Sequence, residues 1–134
     1  MKRTIALIAL ALAGCTTQPV RTGGFVSTNP CADQLLLALA PPERIAAISH
    51  YSHEASATSI PLDVARRFPS IGGTAEEVVA LKPDLVLASS FDAKATLAAY
   101  RRLGLKVLVL GSPTTIAASE AQVRDVAAAV GELA

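Results

Sequence analysis

Residues 71–89 constrain the fold of this chain most strongly, because a helix start, a helix stop and a buried strand follow one another there. Thr74 and Glu77 have the spacing of a capping box, in which each side chain binds the backbone N–H of the other residue. Lys82 before Pro83 predicts the helix end, since a residue that precedes proline avoids the α-helical region. The apolar run at residues 85–88 then indicates a parallel strand covered on both faces.

The rest of the chain alternates strands and helices in the same way. Three more apolar runs predict strands, at residues 25–28, 45–49 and 107–110. Asn29 before Pro30 predicts a helix start, because asparagine caps helices and proline suits their first position. Further helices are predicted at residues 62–68, 92–103 and 116–130. The expected fold class is α/β, a three-layer, doubly wound parallel sheet of about four strands with right-handed crossovers.

The first residues have the composition of an export signal. Lys2 and Arg3 precede an apolar segment, residues 5–12, that is too short to cross a bilayer. Residues 12–15 look like a bacterial lipobox, which predicts a lipoprotein signal peptide at residues 1–14 and a lipid on Cys15, so that the chain is anchored to a membrane. The alternative is ordinary cleavage after Ala13, without lipid. Residues 15–22 are then a tether, and residues 23–134 form the folded part.

The charge and the cysteines narrow the possible partners. A net charge of +1, without a cluster of lysine and arginine, gives no reason to expect a nucleic-acid partner. Aromatic residues make up 4% of the chain and tryptophan is absent, which disfavours a ligand site built from stacked rings. With Cys15 lipidated, no disulfide is expected, and Cys31 is predicted to be a small buried apolar residue of the first helix.

The carboxyl ends of the predicted strands are the candidate binding region, because open α/β sheets bind their ligands there. Polar residues and two aromatic residues follow these strands, and residues 50–59 form a long polar loop of the kind that is often functional. A large, mostly neutral ligand suits such an edge. The candidate ligand-binding residues are Asn29, His50, Tyr51, His53, Ser89, Ser90, Phe91 and Ser112.

His50 and His53 are the candidates for metal chemistry, since two histidines this close together are able to ligate a metal or the iron of a haem. The alternative is a pair of exposed histidines without a specific role. Only Glu54 is near enough to be a third ligand, so no metal site is predicted, and acid–base catalysis by His50 with Asp33 or Glu54 is disfavoured. Residues 72–74 lack the glycine spacing of a phosphate loop or a nucleophile elbow, and no catalysis is expected.

The run from Gly72 to Leu87, with Glu76 and the segment Leu-Lys-Pro-Asp-Leu-Val at residues 81–86, resembles a known family. It is similar to the periplasmic binding proteins of ABC importers for cobalamin, ferric siderophores and haem. Residues 25–30 and the apolar helix after them resemble the same family's first strand and helix, so the resemblance covers residues 23–130. It implies capture of a metal chelate, cobalamin, a ferric siderophore or haem, without a resident cofactor, and delivery to the importer's permease.

The resemblance also implies a role for Glu76 and a missing partner lobe. Proteins of this family present a surface glutamate from each lobe to arginines of the permease, and Glu76 matches the glutamate of the N-terminal lobe. Its alternative role is to favour the helix dipole. The family has two lobes joined by a long helix, and residues 132–134 stand where that helix is expected to begin, so only the N-terminal lobe is expected. Two other functions stay open: a metal- or haem-dependent enzyme or sensor built on His50 and His53, and a truncated fragment without function.

Overall fold

The computed structural model describes residues 22–131 of the chain. Its sheet has five parallel strands in the order β3-β2-β1-β4-β5. The strands are β1 (Phe25–Ser27), β2 (Ile45–Ser49), β3 (Ser70–Ile71), β4 (Leu85–Ser89) and β5 (Val107–Leu110). The chain extends the sheet from central β1 first to one side and then to the other, as a doubly wound sheet does.

Helices cover both faces of the sheet. The α-helices are α1 (Pro30–Leu39), α2 (Leu62–Ala65), α3 (Ala75–Ala80), α4 (Lys94–Arg102) and α5 (Ile116–Gly131), and short 3-10 helices lie at Pro42–Arg44 and His50–His53. α1, α2 and α5 pack on one face, and α3 and α4 pack on the other. The predicted three-layer α/β class is therefore confirmed.

Strands β1, β2, β4 and β5 each supply both hydrophobic cores, because successive side chains point to opposite faces of a sheet. Phe25 packs with α1 and α5, while its neighbour Val26 packs with α3 and α4. Leu85 and Leu87 likewise face the core beneath α1 and α5, and Val86 faces the core beneath α3 and α4. All these strand residues are at most 1% exposed. Burial on both faces explains why residues 85–88 are apolar without alternation.

The two predicted N-terminal helix caps, at Asn29 and Thr74, are present in the structure. Asn29 accepts a hydrogen bond from the backbone N–H of Ala32 at 3.0 Å, and the capping box of Thr74 and Glu77 is formed in both directions. α3 ends at Ala80, before the predicted stop. Lys82 does avoid the α-helical region, and it takes a left-handed conformation with φ 47°.

The structure differs from the sequence prediction at the edge of the sheet and in one loop. β3 was not predicted, since two residues, one of them serine, give no periodic pattern. Residues 50–53, predicted as irregular loop, form a 3-10 helix. The predicted signal peptide, Cys15 and residues 15–21 of the tether lie outside the described residues, and these boundaries stay predictions. Between residues 22 and 131 no helix is long and apolar enough to cross a bilayer.

Candidate functional site

All five strands end at one side of the sheet, which we call the carboxyl edge: residues 28–31, 50–54, 72–74, 89–92 and 111–113. Every predicted ligand-binding residue belongs to this edge. The strand order divides it, because β2 and β3 lie on one side of β1 while β4 and β5 lie on the other. The predicted residues consequently fall into two groups.

The first group surrounds a cavity that we call the edge pocket, with a volume of about 230 Å³. It is lined by Asn29, Pro30, Cys31, Ser89, Phe91, Leu110, Gly111, Ser112 and Gln122. Four of the eight predicted residues thus meet at one cavity, and Ser90 is exposed on the same loop. A neighbouring cavity of about 620 Å³ follows residues 113–124, along the first turns of α5.

Local hydrogen bonds fix the walls of the edge pocket. The Asp92 carboxylate accepts from the Thr28 hydroxyl at 2.9 Å and from the Ser89 N–H at 3.0 Å, which ties the ends of β1 and β4 together. The Ser89 hydroxyl accepts from the Phe91 N–H at 3.1 Å. Phe91 itself is 80% exposed. A large apolar ring therefore stands in solvent on a loop that is held in place.

Asn29 contributes a polar group without a partner. Its Oδ1 caps α1, and its Nδ2 is buried without a hydrogen-bond partner among the described residues. A buried donor left unpaired costs about 1–3 kcal/mol. Such groups are rare in folded proteins, and each one calls for a structural or functional reason.

Cys31 corrects the sequence analysis, because it is exposed and lines the edge pocket. The buried side of α1 is formed by Ala32, Asp33 and Leu36. Cys31 precedes Ala32 and is turned from it by about 100° around the helix, which moves its thiol out of the core. Gln122 of α5 also lines the edge pocket, and the sequence analysis did not identify it. The pattern of α5 shows which of its positions are apolar, but it does not show which of its polar residues reach the pocket.

The second group of predicted residues is the 3-10 helix His50–His53, which we call the histidine turn. His50 Nδ1 lies 3.3 Å from the Ile71 carbonyl oxygen, and His53 Nε2 lies 3.1 Å from that of Ala65. A carbonyl only accepts, so each of these nitrogens carries the proton and donates. One ring nitrogen of each histidine is thus engaged, His50 with β3 and His53 with α2.

Tyr51 is the exposed member of the histidine turn. Its side chain is 46% exposed, and its ring lies 3.9 Å from that of His50, centroid to centroid. Within residues 22–131 no three His, Cys, Asp or Glu side chains come together as a possible metal site. The turn offers an aromatic surface beside the two imidazoles.

Asp33 lies beneath the histidine turn and is completely buried. Its carboxylate accepts from the hydroxyls of Ser49 and Ser52, each at 2.6 Å, and from the Ser49 N–H at 3.1 Å. Burial raises the pKa of this carboxyl group above its ordinary value, while its bonds to the serines oppose that effect. The sequence analysis gave Asp33 no structural role, because a single acid in an apolar helix has no periodic signature.

Glu76 and Glu77 differ in the way that the capping box predicts. Glu77 accepts from the N–H groups of Thr74 and Gly72 at 3.1 and 3.2 Å, and these bonds lower the pKa of its carboxyl group. Glu76 is exposed, with no hydrogen bond or ion pair to another residue of the described range. The Tyr100 hydroxyl donates to the Gly73 carbonyl at 2.6 Å and anchors the loop before both acids.

Comparison with protein families identifies the class of this chain. The model of a family described as "Periplasmic binding protein" matches residues 25–134. The chain therefore belongs to the periplasmic binding protein family, as the resemblance at residues 72–87 implied. Comparison with curated proteins finds no significant match.

Solved structures of periplasmic binding proteins share the fold. The periplasmic haem binding protein from Pseudomonas aeruginosa has a TM-score of 0.66 and 19% identity, over 81% of this chain and 38% of that one. The periplasmic haem-binding protein RhuT from Roseiflexus sp. RS-1 has a TM-score of 0.63 and 22% identity, over 82% of this chain and 41% of that one. The periplasmic vitamin B12 binding protein BtuF of Vibrio cholerae has a TM-score of 0.62 and 21% identity, over 81% of this chain and 44% of that one. The chain spans less than half of each of these proteins, and its described residues form one lobe.

Proposed function

We propose that this chain is the substrate-binding component of an ABC importer, which captures a metal chelate in the periplasm and delivers it to the membrane permease. Cobalamin and ferric siderophores are the proposed ligands. The lipid on Cys15 is the proposed anchor. The family match over residues 25–134 supports a binding role, and the solved relatives include proteins for haem and for vitamin B12.

The observation that carries the proposal is the edge pocket. Four residues chosen from the sequence as ligand contacts, Asn29, Ser89, Phe91 and Ser112, line one cavity although they come from three separate loops. Their hydroxyl, amide and aromatic groups suit a ligand with many neutral polar atoms and some flat apolar surface. No charged side chain lines this cavity.

The size of the edge pocket indicates how such a ligand is bound. Cavities that enclose a drug-sized molecule measure about 300–1,000 Å³, and the edge pocket is smaller, at about 230 Å³. We therefore propose that it takes one side group of the chelate, while Phe91 and Tyr51 contact the rest across the carboxyl edge. The remaining ligand surface is left for a second lobe, in keeping with the lengths of the solved relatives.

Haem is a less favoured ligand, because its iron needs a ligand from the protein. His50 is the candidate for that ligand, since its Nδ1 lies at the Ile71 carbonyl, and in the neutral imidazole a proton on Nδ1 leaves the lone pair on Nε2. The bonds that engage both imidazoles also count against the alternative of a metal-dependent enzyme or sensor built on His50 and His53.

We further propose that Glu76 contacts a cationic surface of the permease. It is an exposed carboxylate at the first turn of α3, beside the rigid capping box of Glu77. An exposed charge at a rim speeds association and fixes orientation more than it adds affinity. Glu76→Gln is expected to slow association with the permease about tenfold at low salt. Glu120→Gln, on α5, is the control and is expected to have no effect.

The experiment that tests ligand capture is titration of the purified chain with cyanocobalamin, a ferric siderophore and haem, followed by calorimetry and ligand absorbance. Saturable binding of the first or second that weakens in Phe91→Ala supports the proposal. Binding of haem alone, lost in His50→Ala, supports a haem carrier instead. A folded chain that binds none of the three contradicts ligand capture by this lobe.

A further inference from the structure

Two side-chain hydrogen bonds of 2.6 Å converge on Asp33, which belongs to α1 but contacts other elements. Their donors are Ser49, which ends β2, and Ser52, which is in the histidine turn. Asp33 and both serines are 0% exposed. One buried carboxylate therefore joins α1, β2 and the histidine turn.

These contacts suit an ionised Asp33, because every partner is a donor. Hydroxyl–carboxylate bonds of 2.5–2.7 Å are charge-assisted, and they are about twice as strong as neutral hydrogen bonds. The two contacts of 2.6 Å are in this class. A charged group held so deeply needs this complete set of donors, since an unpaired buried charge is very costly.

Ser52 is the direct link between Asp33 and the histidine turn. It lies between Tyr51 and His53, and its hydroxyl is the turn's short bond to the body of the domain. The other side-chain bonds of the turn are longer, at 3.3 Å from His50 and 3.1 Å from His53. Tyr51 is exposed, and among the described residues the only aromatic ring that its own ring contacts is that of His50.

We propose that Asp33 is a positioning residue, which through Ser52 holds the histidine turn and sets the position of Tyr51 on the carboxyl edge. The inference rests on the proposed function insofar as Tyr51 contacts the ligand. The positioning itself is a property of the protein without ligand. α1 begins at Asn29 in the edge pocket, so Asp33 also connects the two groups of candidate ligand residues.

Tyrosine fluorescence gives a direct measurement of this positioning. The chain has no tryptophan and two tyrosines, so Tyr51 is the sole fluorophore after Tyr100→Phe. In that background Ser52→Ala is compared with Ser49→Ala. Both substitutions remove a fully buried hydroxyl that donates to the Asp33 carboxylate at 2.6 Å, but Ser49 belongs to β2 and not to the turn. The two variants are therefore matched in chemistry and burial.

The expected result is specific to Ser52. Acrylamide quenching of Tyr51 rises about twofold in Ser52→Ala, because the released turn opens locally, and it stays at the parent value in Ser49→Ala. Equal quenching in the two variants, or no change in either, overturns the proposal. Ser52→Cys keeps the volume but donates weakly. It replaces the alanine variant if that variant loses the far-UV circular dichroism of its parent, and the same two outcomes then decide.

A ligand measurement separates this inference from the proposed function. The probe is cyanocobalamin, titrated into the full chain and its Ser52→Ala variant. Weaker binding in Ser52→Ala, by about tenfold, extends the positioning role to ligand affinity. Raised quenching without any cobalamin binding by either chain supports the positioning and contradicts the proposed ligand. Unchanged quenching overturns the positioning, whatever cobalamin does.

Discussion

The two ends of the sheet differ in how their side chains are used: those at the amino edge bond neighbouring segments, and several at the carboxyl edge are exposed. At the amino edge, residues 22–24, 43–44 and 84, the Asp84 carboxylate accepts from the Gly24 N–H at 2.8 Å and from Arg44 Nη2 at 3.1 Å. The Arg44 guanidinium also lies 5.1 Å from the centroid of the Phe25 ring. At the carboxyl edge, by contrast, the large side chains of Phe91 and Tyr51 are exposed.

The comparison indicates which residues of an α/β lobe are available for binding. The Asp84 carboxylate of the amino edge bonds two neighbouring segments, and these bonds hold the turns there. At the carboxyl edge the bonds of Asp33 and Asp92 hold the loops from beneath, which leaves side chains of those loops exposed. Substitutions at the amino edge should thus affect stability, and exposed positions of the carboxyl edge should affect binding.

Gly24→Ala is expected to have the largest effect. Gly24 has φ 82°, and a Cβ there would lie 2.4 Å from the Arg44 carbonyl oxygen. Left-handed strain and the backbone clash together should lower the free energy of unfolding by about 3 kcal/mol, measured by urea denaturation. Gly131→Ala is the control, since none of the described residues outside its own helix and chain neighbours comes within 4 Å of its Cβ position. Similar stability of the two variants would contradict a rigid amino edge.

Tyr100→Phe tests the buried support of the carboxyl edge. Loss of the hydroxyl bond to Gly73 should cost about 1–2 kcal/mol. Burial raises the pKa of Tyr100 from 10.0 to about 12, so the folded protein keeps a proton that the unfolded chain releases in this range. The stability of the parent should therefore fall as the pH rises from 10 towards 12, and the fall should be smaller in the variant. Urea denaturation of both chains at pH 9 and pH 11 measures how much stability each one loses. Equal losses in the parent and the variant would mean that the phenol of Tyr100 is solvated.

Phe91→Ala should separate binding from stability. The ring is 80% exposed, so its removal should change the free energy of unfolding by less than about 0.5 kcal/mol. Binding of the chelate should weaken by about tenfold, which corresponds to about 1.4 kcal/mol. Leu103→Ala is the matched control, because Leu103 is 56% exposed at the other end of α4. Equal losses of affinity would remove the distinction between the two edges.

The pH-dependent part of the stability change in Asp33→Asn should be the smallest of these effects. The pKa of Asp33 is raised above 3.8 by burial, so the folded protein holds this proton more tightly than the unfolded chain. As the pH rises from 3.8 through the raised pKa, the parent should lose stability relative to the variant, and the difference should then become constant. Denaturation of both chains between pH 3.5 and 7, about one point per half unit, measures it. A difference that moves in the opposite direction would mean that the serine bonds outweigh desolvation.

Much of the fold was predictable because its signals are local. The caps at Asn29 and Thr74, and the apolar runs of β1, β2, β4 and β5, depend on residues that are near one another in the sequence. The carboxyl edge followed from the alternation of strands and helices through a general rule of open sheets. That rule identified Asn29, Ser89, Phe91 and Ser112 before their common cavity was known, although their role in binding stays a prediction.

The sequence by itself determined the α/β class, the helix caps and the edge at which candidate ligand residues gather, because periodicity and capping act over a few residues. Only the tertiary structure decided that Cys31 and Gln122 line the edge pocket, that Asp33 joins Ser49 and Ser52, and that both histidines bond backbone carbonyls. Each of these contacts joins segments from different elements. Such pairings depend on how strands and helices pack, and no local pattern of residues records them.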